Sequence, residues 1–305
     1  MILMKNRGLF SVWFAVLWIG VWAQPSKPLV LGILTDVQYC DCDPLGVRNY
    51  RLSAAKLDSC VATFNTLPLD AVFCLGDMID HQYESYDSVL PRFRNLTAPF
   101  YPVSGNHDYM IRGARKQEVP GLLGLQNSYY AVDLGGWLFL ALNGNDLSYF
   151  APQSKAQKQE RNDMVADLFS SLRFSGMAWN GGIGKAQAQW LKEQLSRAEE
   201  EGKKVILLCH FPLVAPHNHT LFNNREIFAL IRPYSCVKAW FCGHYHAGGY
   251  QEKDGIHLVN FHGMVDTPVN AFATVTLTDD SILISGYGRE PSRNLPIRKT
   301  APTAH

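Results

Sequence analysis

Side chains able to hold metal ions fall at five places in this 305-residue chain, and each place follows directly on a short apolar run. Asp36 and Gln38 follow residues 29–35, and Gly76 and Asp77, with Asp80 close behind, follow residues 69–75. Gly105, Asn106, His107 and Asp108 follow residues 100–103. His210 follows the run Lys204–Cys209, and Gly243, His244, Tyr245 and His246 follow the run Val237–Cys242. Carboxylate and amide oxygens suit hard cations such as Mn²⁺ or Mg²⁺, while imidazole suits Zn²⁺, Fe²⁺ and Mn²⁺. The donors Asp36, Gln38, Asp77, Asn106, His210, His244 and His246 exceed what one tetrahedral structural site takes. They match two divalent cations bridged by one carboxylate, which grip both the attacking and the leaving oxygen in phosphoryl displacement. Any one of them alone reads more readily as a turn or surface residue. All of them in this order, each at the end of an apolar run, do not. Asp80 reads as a loop or helix-capping residue rather than a ligand.

In α/β sheets, ligands bind beyond the carboxyl ends of the strands, so the apolar runs must be strands that end at one edge. The runs at 29–35, 69–75 and 100–103 are continuously apolar, as expected of strands covered on both faces. Helical patterns at 51–64 and 86–93 lie between them, giving the alternation of a βαβ-type sheet. Residues 129–133 and Trp137–Leu142 flank Gly135 and Gly136 and read as a hairpin. A polar helical stretch follows at 154–173, then a glycine-rich loop at 179–184 and a helix at 185–201 with Trp190, Leu191 and Leu195 on its core side. A short helix near Asn224–Ile231 separates the last two ligand-bearing strands, and two hairpins then turn at Asp254 and Gly255 and at Asp279 and Asp280. The tail after Pro291 reads as polar, basic and loose. No linker divides the chain, so residues 24–305 read as one α/β domain.

The composition is that of an ordinary globular protein, with 47% hydrophobic and 18% charged residues. The formal net charge of +1 advertises no nucleic-acid or membrane partner. Residues 1–23 stand apart. Lys5 and Arg7 precede an uncharged apolar run at 9–22, and Ala23 offers a small residue at a cleavage point. This reads as a secretory signal peptide, and the run is short for a spanning anchor. It implies a secreted or periplasmic protein with no stable membrane insertion once the signal is removed. The seven Cys form an odd set for an exported chain, which leaves at least one thiol unpaired. Cys74, Cys209 and Cys242 lie in apolar runs and read as small buried hydrophobes. Cys40 and Cys42 flank Asp41 in a polar loop that would suit a disulfide or a soft-metal site. Asn95 and Asn218 head glycosylation sequons.

The ordered set Asp-x-Gln, Gly-Asp-x-x-Asp, Gly-Asn-His-Asp, His and Gly-His-x-His resembles the calcineurin-like metallophosphoesterases over residues 29–290. That resemblance implies an αββα sandwich, two mixed β-sheets flanked by helices. The family usually has His where this chain has Gln38. The Asp-x-Gln variant, with Asp36 to Tyr39, the segment from Arg48 to Arg51, Asn180 to Gly182 and Gly243 to Tyr250, is similar to the manganese-dependent ADP-ribose/CDP-alcohol diphosphatase branch. The resemblance implies that Asp36, Gln38, Asp77 and His246 hold one metal. Asp77 then bridges to a second, which Asn106, His210 and His244 complete. Water activated between the cations attacks phosphorus in line. His107 becomes the general acid for the leaving oxygen, or else a residue that only positions phosphate, with Asp108 orienting it. The branch often has Glu at the position of Asp108.

The implied cofactors are two divalent cations, Mn²⁺ for preference because the amide of Gln38 hardens one site, with Mg²⁺, Fe²⁺ or Zn²⁺ as alternatives. Arg48 and Arg51 either hold a phosphate or mark the exposed start of a helix. Tyr39 and Phe211, each one residue past a ligand position, are expected to wall the cleft, and Asn180 to donate to phosphate. The expected partner is a small-molecule phosphate, a nucleoside diphosphate derivative met outside the cell by a monomer. A phosphodiesterase or phosphomonoesterase on cyclic nucleotides or simple esters is the competing enzyme reading. A non-catalytic metal-binding scaffold is the third, and the complete ligand set weighs against it.

Overall fold

The computed structural model describes residues 27–173 and 175–297. The expected signal segment lies outside the described residues. Two sheets form the centre. The first has the strand order β12-β11-β10-β1-β2-β3, from β1 (Leu29–Leu34), β2 (Ala71–Cys74), β3 (Phe100–Pro102), β10 (Ala271–Leu277), β11 (Ser281–Gly288) and β12 (Arg293–Pro296). The second has the order β4-β5-β6-β7-β9-β8, from β4 (Tyr130–Leu134), β5 (Trp137–Leu142), β6 (Lys204–Cys209), β7 (Val237–Cys242), β8 (Gly249–Lys253) and β9 (Ile256–Asn260). β1, β2 and β3 are parallel, as are β5, β6, β7 and β9. The remaining pairs are antiparallel, so both sheets are mixed.

Alternation along each strand explains the continuous apolar runs. Phe73 of β2 points between the sheets with Phe139, Ile206 and Phe241, while Val72 and Cys74 point the other way. That outer face is covered by α1 (Leu52–Asn65) and α2 (Ser85–Phe93), through Leu57, Phe64, Val89 and Phe93. A four-residue turn of helix, α3 (Val119–Leu122), adds Val119 to the same cluster. On β6, Ile206 and Leu208 face the inter-sheet core, while Val205 and Leu207 face α5 (Lys185–Glu200) and α6 (Asn224–Ile231). The central strands of both sheets are therefore covered on both faces, and the layers run helix, sheet, sheet, helix. α4 (Lys155–Ser170) starts from a capping box between Ser154 and Gln157 and buries only Val165 and Leu168.

One expectation fails at the C-terminal tail. Residues 293–296 form β12, and Leu295 and Ile297 are buried in the inter-sheet core. A polar sequence hid this because an edge strand buries only alternate residues. Cys40 and Cys42 form a disulfide, and Cys60, Cys74, Cys209, Cys236 and Cys242 are free and buried. Among the described residues, no helix is long and apolar enough to cross a membrane.

Candidate metal centre

The parallel strands of both sheets deliver their ligand loops to one rim. Asp77, just past β2, stands at the centre. Its Oδ2 lies 3.2 Å from His210 Nε2 and accepts from Gln38 Nε2 at 3.1 Å. Its Oδ1 accepts from the His107 amide at 2.8 Å. On one side, His210 Nε2 lies 3.1 Å from Asn106 Oδ1. The donor atoms of Asp77, His210 and His244 all fall within 4.8 Å of one another. On the other side, Asp36 Oδ1 lies 3.2 Å from His246 Nε2, and Gln38 Nε2 lies 3.1 Å from the same nitrogen. The structure thus gathers all of the candidate ligands into two groups that share Asp77.

Two further features fit this donor set to a pair of cations. Gln38 Oε1 is a buried oxygen with no hydrogen-bond donor, and Asp36 Oδ1 is buried with only the His246 imidazole beside it at 3.2 Å, a costly arrangement unless a cation meets them. Turning the Gln38 amide over would exchange its nitrogen for that oxygen, facing Asp77 and His246. The backbone is also held in an unfavourable form at the ligands. Asp36, Gln38, Asp77 and His244 have φ of 51°, 42°, 56° and 69°. L-residues enter that region at a cost, and it clusters at functional sites. Glycine is required beside two of them. A Cβ on Gly105 would lie 2.1 Å from Asp77 Oδ1, and one on Gly243 would lie 2.5 Å from Asp36 Oδ2.

Each imidazole is oriented by the nitrogen that faces away from the cluster. His210 Nδ1–H donates to the Leu75 carbonyl at 2.9 Å, and His246 Nδ1–H donates to Asp266 Oδ1 at 2.9 Å. His244 Nε2–H donates to Asn180 Oδ1 at 3.0 Å, which leaves its Nδ1 lone pair free. Such outer partners fix the tautomer of a metal-binding histidine. Burial works against charge on His210 and His246, but Asp77 beside the first, and Asp36 and Asp266 beside the second, raise both to about 9. Burial and the neighbouring His210 hold His244 well below its ordinary value, and hence neutral. Burial alone would raise Asp77, but the charges of His210 and His107 outweigh it and keep the carboxylate ionised.

His107 sits at the rim, with Nδ1 2.9 Å from Asp80 Oδ1 and 3.0 Å from the Asp80 carbonyl. Burial disfavours its charge and Arg48 opposes it, but Asp77 and Asp80 together raise its pKa. Asp108 does not orient it. The tight turn at His107–Tyr109 sends Asp108 inward, where its carboxylate accepts from the amides of Asp77, Met78 and Gly105 at 2.8–3.0 Å and from the Tyr86 hydroxyl at 3.2 Å. Asp108 therefore shapes the Asp77 loop. Asp80, expected to be a cap, is the partner of His107.

The substrate contacts expected from sequence divide. Arg48 is half-buried at the rim, bridged through its backbone to Asp266 and within the field of Asp80 and Asp266. Arg51 instead pairs with Asp41 and Asp43 on the surface, because the start of α1 turns it away from the cleft. Phe211 is fully buried with its ring edge-on to His210 and His244, at centroid distances of 5.0 Å and 4.8 Å, so it props ligands and meets no substrate. Asn180 is also fully buried, and its amide donates to the Ser175 and Asn218 carbonyls, leaving nothing for phosphate. The Tyr39 ring packs in the cluster under α1 and α2, while its backbone pairs with Met78 and Asp80. Asp266 escaped the sequence reading. It lies in an irregular segment after β9 with no motif around it, and its only signal was the position beyond a strand end.

Comparison with known proteins agrees with this geometry. Residues 29–248 match the model of the calcineurin-like phosphoesterases. A human protein named manganese-dependent ADP-ribose/CDP-alcohol diphosphatase is 28% identical, with 88% of this chain and 92% of the relative covered. A rice protein of the same name is 28% identical, with 87% and 93% covered. Among solved structures, a dimetal phosphatase from Danio rerio shares the fold with a TM-score of 0.80 at 21% identity, covering 90% of this chain and all 100% of that one. With the family match spanning most of the chain and the site residues gathered as described, this protein belongs to the calcineurin-like phosphoesterase family and is a metal-dependent phosphoester hydrolase.

Proposed function

We propose that this protein is a Mn²⁺-dependent diphosphatase that splits the P–O–P link of a nucleoside diphosphate derivative, such as ADP-ribose or a CDP-alcohol, outside the cell. The observation that carries the proposal is Gln38, an amide at a ligand position with its buried Oε1 unpartnered, beside an otherwise complete set of carboxylate and imidazole donors. A neutral oxygen donor favours a hard ion such as Mn²⁺. Asp36, Gln38, Asp77 and His246 would hold one ion, and Asp77, Asn106, His210 and His244 the other. When bound, the ions polarise phosphate and bring water to a nucleophilic state at neutral pH. His107, held by Asp80 and with its pKa raised by Asp77 and Asp80 against the effect of burial, is placed to give its proton to the leaving phosphate oxygen. Arg48 lies on the same rim, where its guanidinium can pair with a phosphate oxygen.

The curated relatives named for ADP-ribose and CDP-alcohol support the substrate class. Export is supported by the basic and apolar residues of the first 23 positions and by the Cys40–Cys42 disulfide, a bond that persists in oxidising compartments. The test is a product assay. Mature protein with Mn²⁺ is offered ADP-ribose, CDP-choline, cyclic AMP and a chromogenic diester. Release of AMP plus ribose 5-phosphate from ADP-ribose is the expected outcome. Turnover of cyclic AMP or the diester alone would move the protein to the phosphodiesterases.

A further inference from the structure

An aromatic shelf stands beside the metal ligand His244. Trp179 is 37% exposed, and it lies 5.8 Å from the ring of His219 at a tilt of 34°. His219 in turn lies 5.3 Å from His244 and 5.6 Å from Tyr245. A continuous run of ring faces therefore leads from the cation cluster out to solvent in two steps.

The shelf is tied to the metal centre by one polar hub. Asn180, next to Trp179 in the chain, accepts from His244 Nε2–H and donates to the carbonyl of Asn218, next to His219. The orientation of a metal ligand and the position of both outer rings thus depend on one buried amide. His217 and Asn218 have φ of 53° and 60°. The loop that presents His219 is therefore held in a costly form that its surroundings must enforce. Fixed, exposed aromatic faces of this kind serve as stacking platforms for bases.

We propose that Trp179 and His219, with Tyr245 behind them, form the subsite that stacks the nucleobase of the substrate while its diphosphate lies over the cations. A nucleotide is built to the same plan, with a flat ring at one end, phosphate at the other and a sugar's length between. This inference rests on the nucleoside diphosphate reading above and adds the residues that would select a base.

Calorimetric titration of the Mn²⁺-loaded protein with AMP and, separately, with inorganic phosphate tests it. Trp179→Ala is expected to weaken AMP binding about tenfold, the usual worth of one stacked base. Trp179→Phe should restore most of that loss. Phosphate, which has no ring, should bind the Trp179→Ala protein as it binds the parent. Equal losses for AMP and phosphate, or no loss for AMP, overturn the shelf. The two readings part cleanly. If the parent releases no AMP from ADP-ribose yet loses AMP affinity on Trp179→Ala, the shelf stands and the diphosphatase falls. If it cleaves ADP-ribose and Trp179→Ala leaves AMP affinity intact, the reverse holds.

Discussion

Asp80 Oδ1 lies 2.9 Å from His107 Nδ1, while the carboxylate of Asp108, one residue from that histidine in the chain, faces the backbone of Asp77 and Met78 instead. The two acids have exchanged the roles their positions suggest. Burial would raise Asp80, but His107 and His81 bonded to its two oxygens lower it, so it stays charged and supports a protonated His107.

Asp80→Asn should therefore lower kcat by roughly 100-fold, the usual scale for weakened general acid catalysis. The pH profile carries the sign. The pKa of His107 is raised. An acid must be protonated to act, so activity falls as pH climbs through that raised value. Without the Asp80 charge the fall should begin at lower pH. A profile displaced upward, or left where it was, contradicts this role.

Asp108→Ala should act on folding first. It strands the amides of Asp77, Met78 and Gly105 and the Tyr86 hydroxyl inside the protein. Each donor left unmade costs about 1–3 kcal/mol. Thermal melts should show a drop of several degrees even with metal absent. A variant that melts like the parent would show that these bonds contribute little.

Removal of metal is the third test. Stripping with chelator should lower the melting temperature, and excess Mn²⁺ should restore about 2.7 kcal/mol per site at a hundredfold excess over Kd. Because Gln38 supplies a hard oxygen, Mn²⁺ should recover more activity than Zn²⁺. Identical melts with and without metal would contradict two ions here, and full activity with Zn²⁺ but none with Mn²⁺ would overturn the preference.

Asp266 holds His246 in place, and Lys56 holds the segment that carries Asp266. The Lys56 ammonium donates to the carbonyls of Met264, Asp266 and Thr267 from its place on α1. Asp266→Asn is expected to cost roughly 10–100-fold in Mn²⁺ affinity, as loss of an outer partner of a metal histidine usually does. Lys56→Met should shift the affinity the same way by less. Titration followed by manganese paramagnetic resonance reads both. Wild-type affinity in Asp266→Asn would remove this carboxylate from the site.

Stability in acid should depend on Glu290. Burial would raise its pKa, but His262 and Arg293, bonded to its carboxylate at 3.1 Å and 2.6 Å, hold it below the ordinary 4.5. A depressed carboxylate stabilises the fold above its unfolded pKa, and that contribution is lost as pH falls through the lower folded value. Denaturant midpoints of Glu290→Gln should fall below the parent's near neutrality and converge with them in acid. Parallel curves would show no linkage.

Much of this molecule is legible in its amino-acid sequence. The strands at β1, β2, β6 and β7 announce themselves because both faces are dry, and the ligands because each cluster begins just past such a strand. What stayed hidden depends on side-chain direction. Arg51 and Phe211 sit at promising positions in the chain, yet a helix start turns one outward and the space between two imidazoles draws the other in. Asp266 had no motif to mark it, and β12 had too few apolar residues to show as a strand. Spacing along the chain identifies donors well. Which acid serves which histidine is decided by the turn between them.

The last strand also guards the rest. β12 is four residues long and carries Arg293 and Pro296 at the outer border of the first sheet, where it pairs with residues 281–284, the first half of β11. A short border with a charge and a proline is a poor template for another chain, whereas a longer bare one invites it. A protein cut before Arg293 would offer β11 as an open ladder, and its tendency to associate edge to edge would rise although every residue of the metal centre remained.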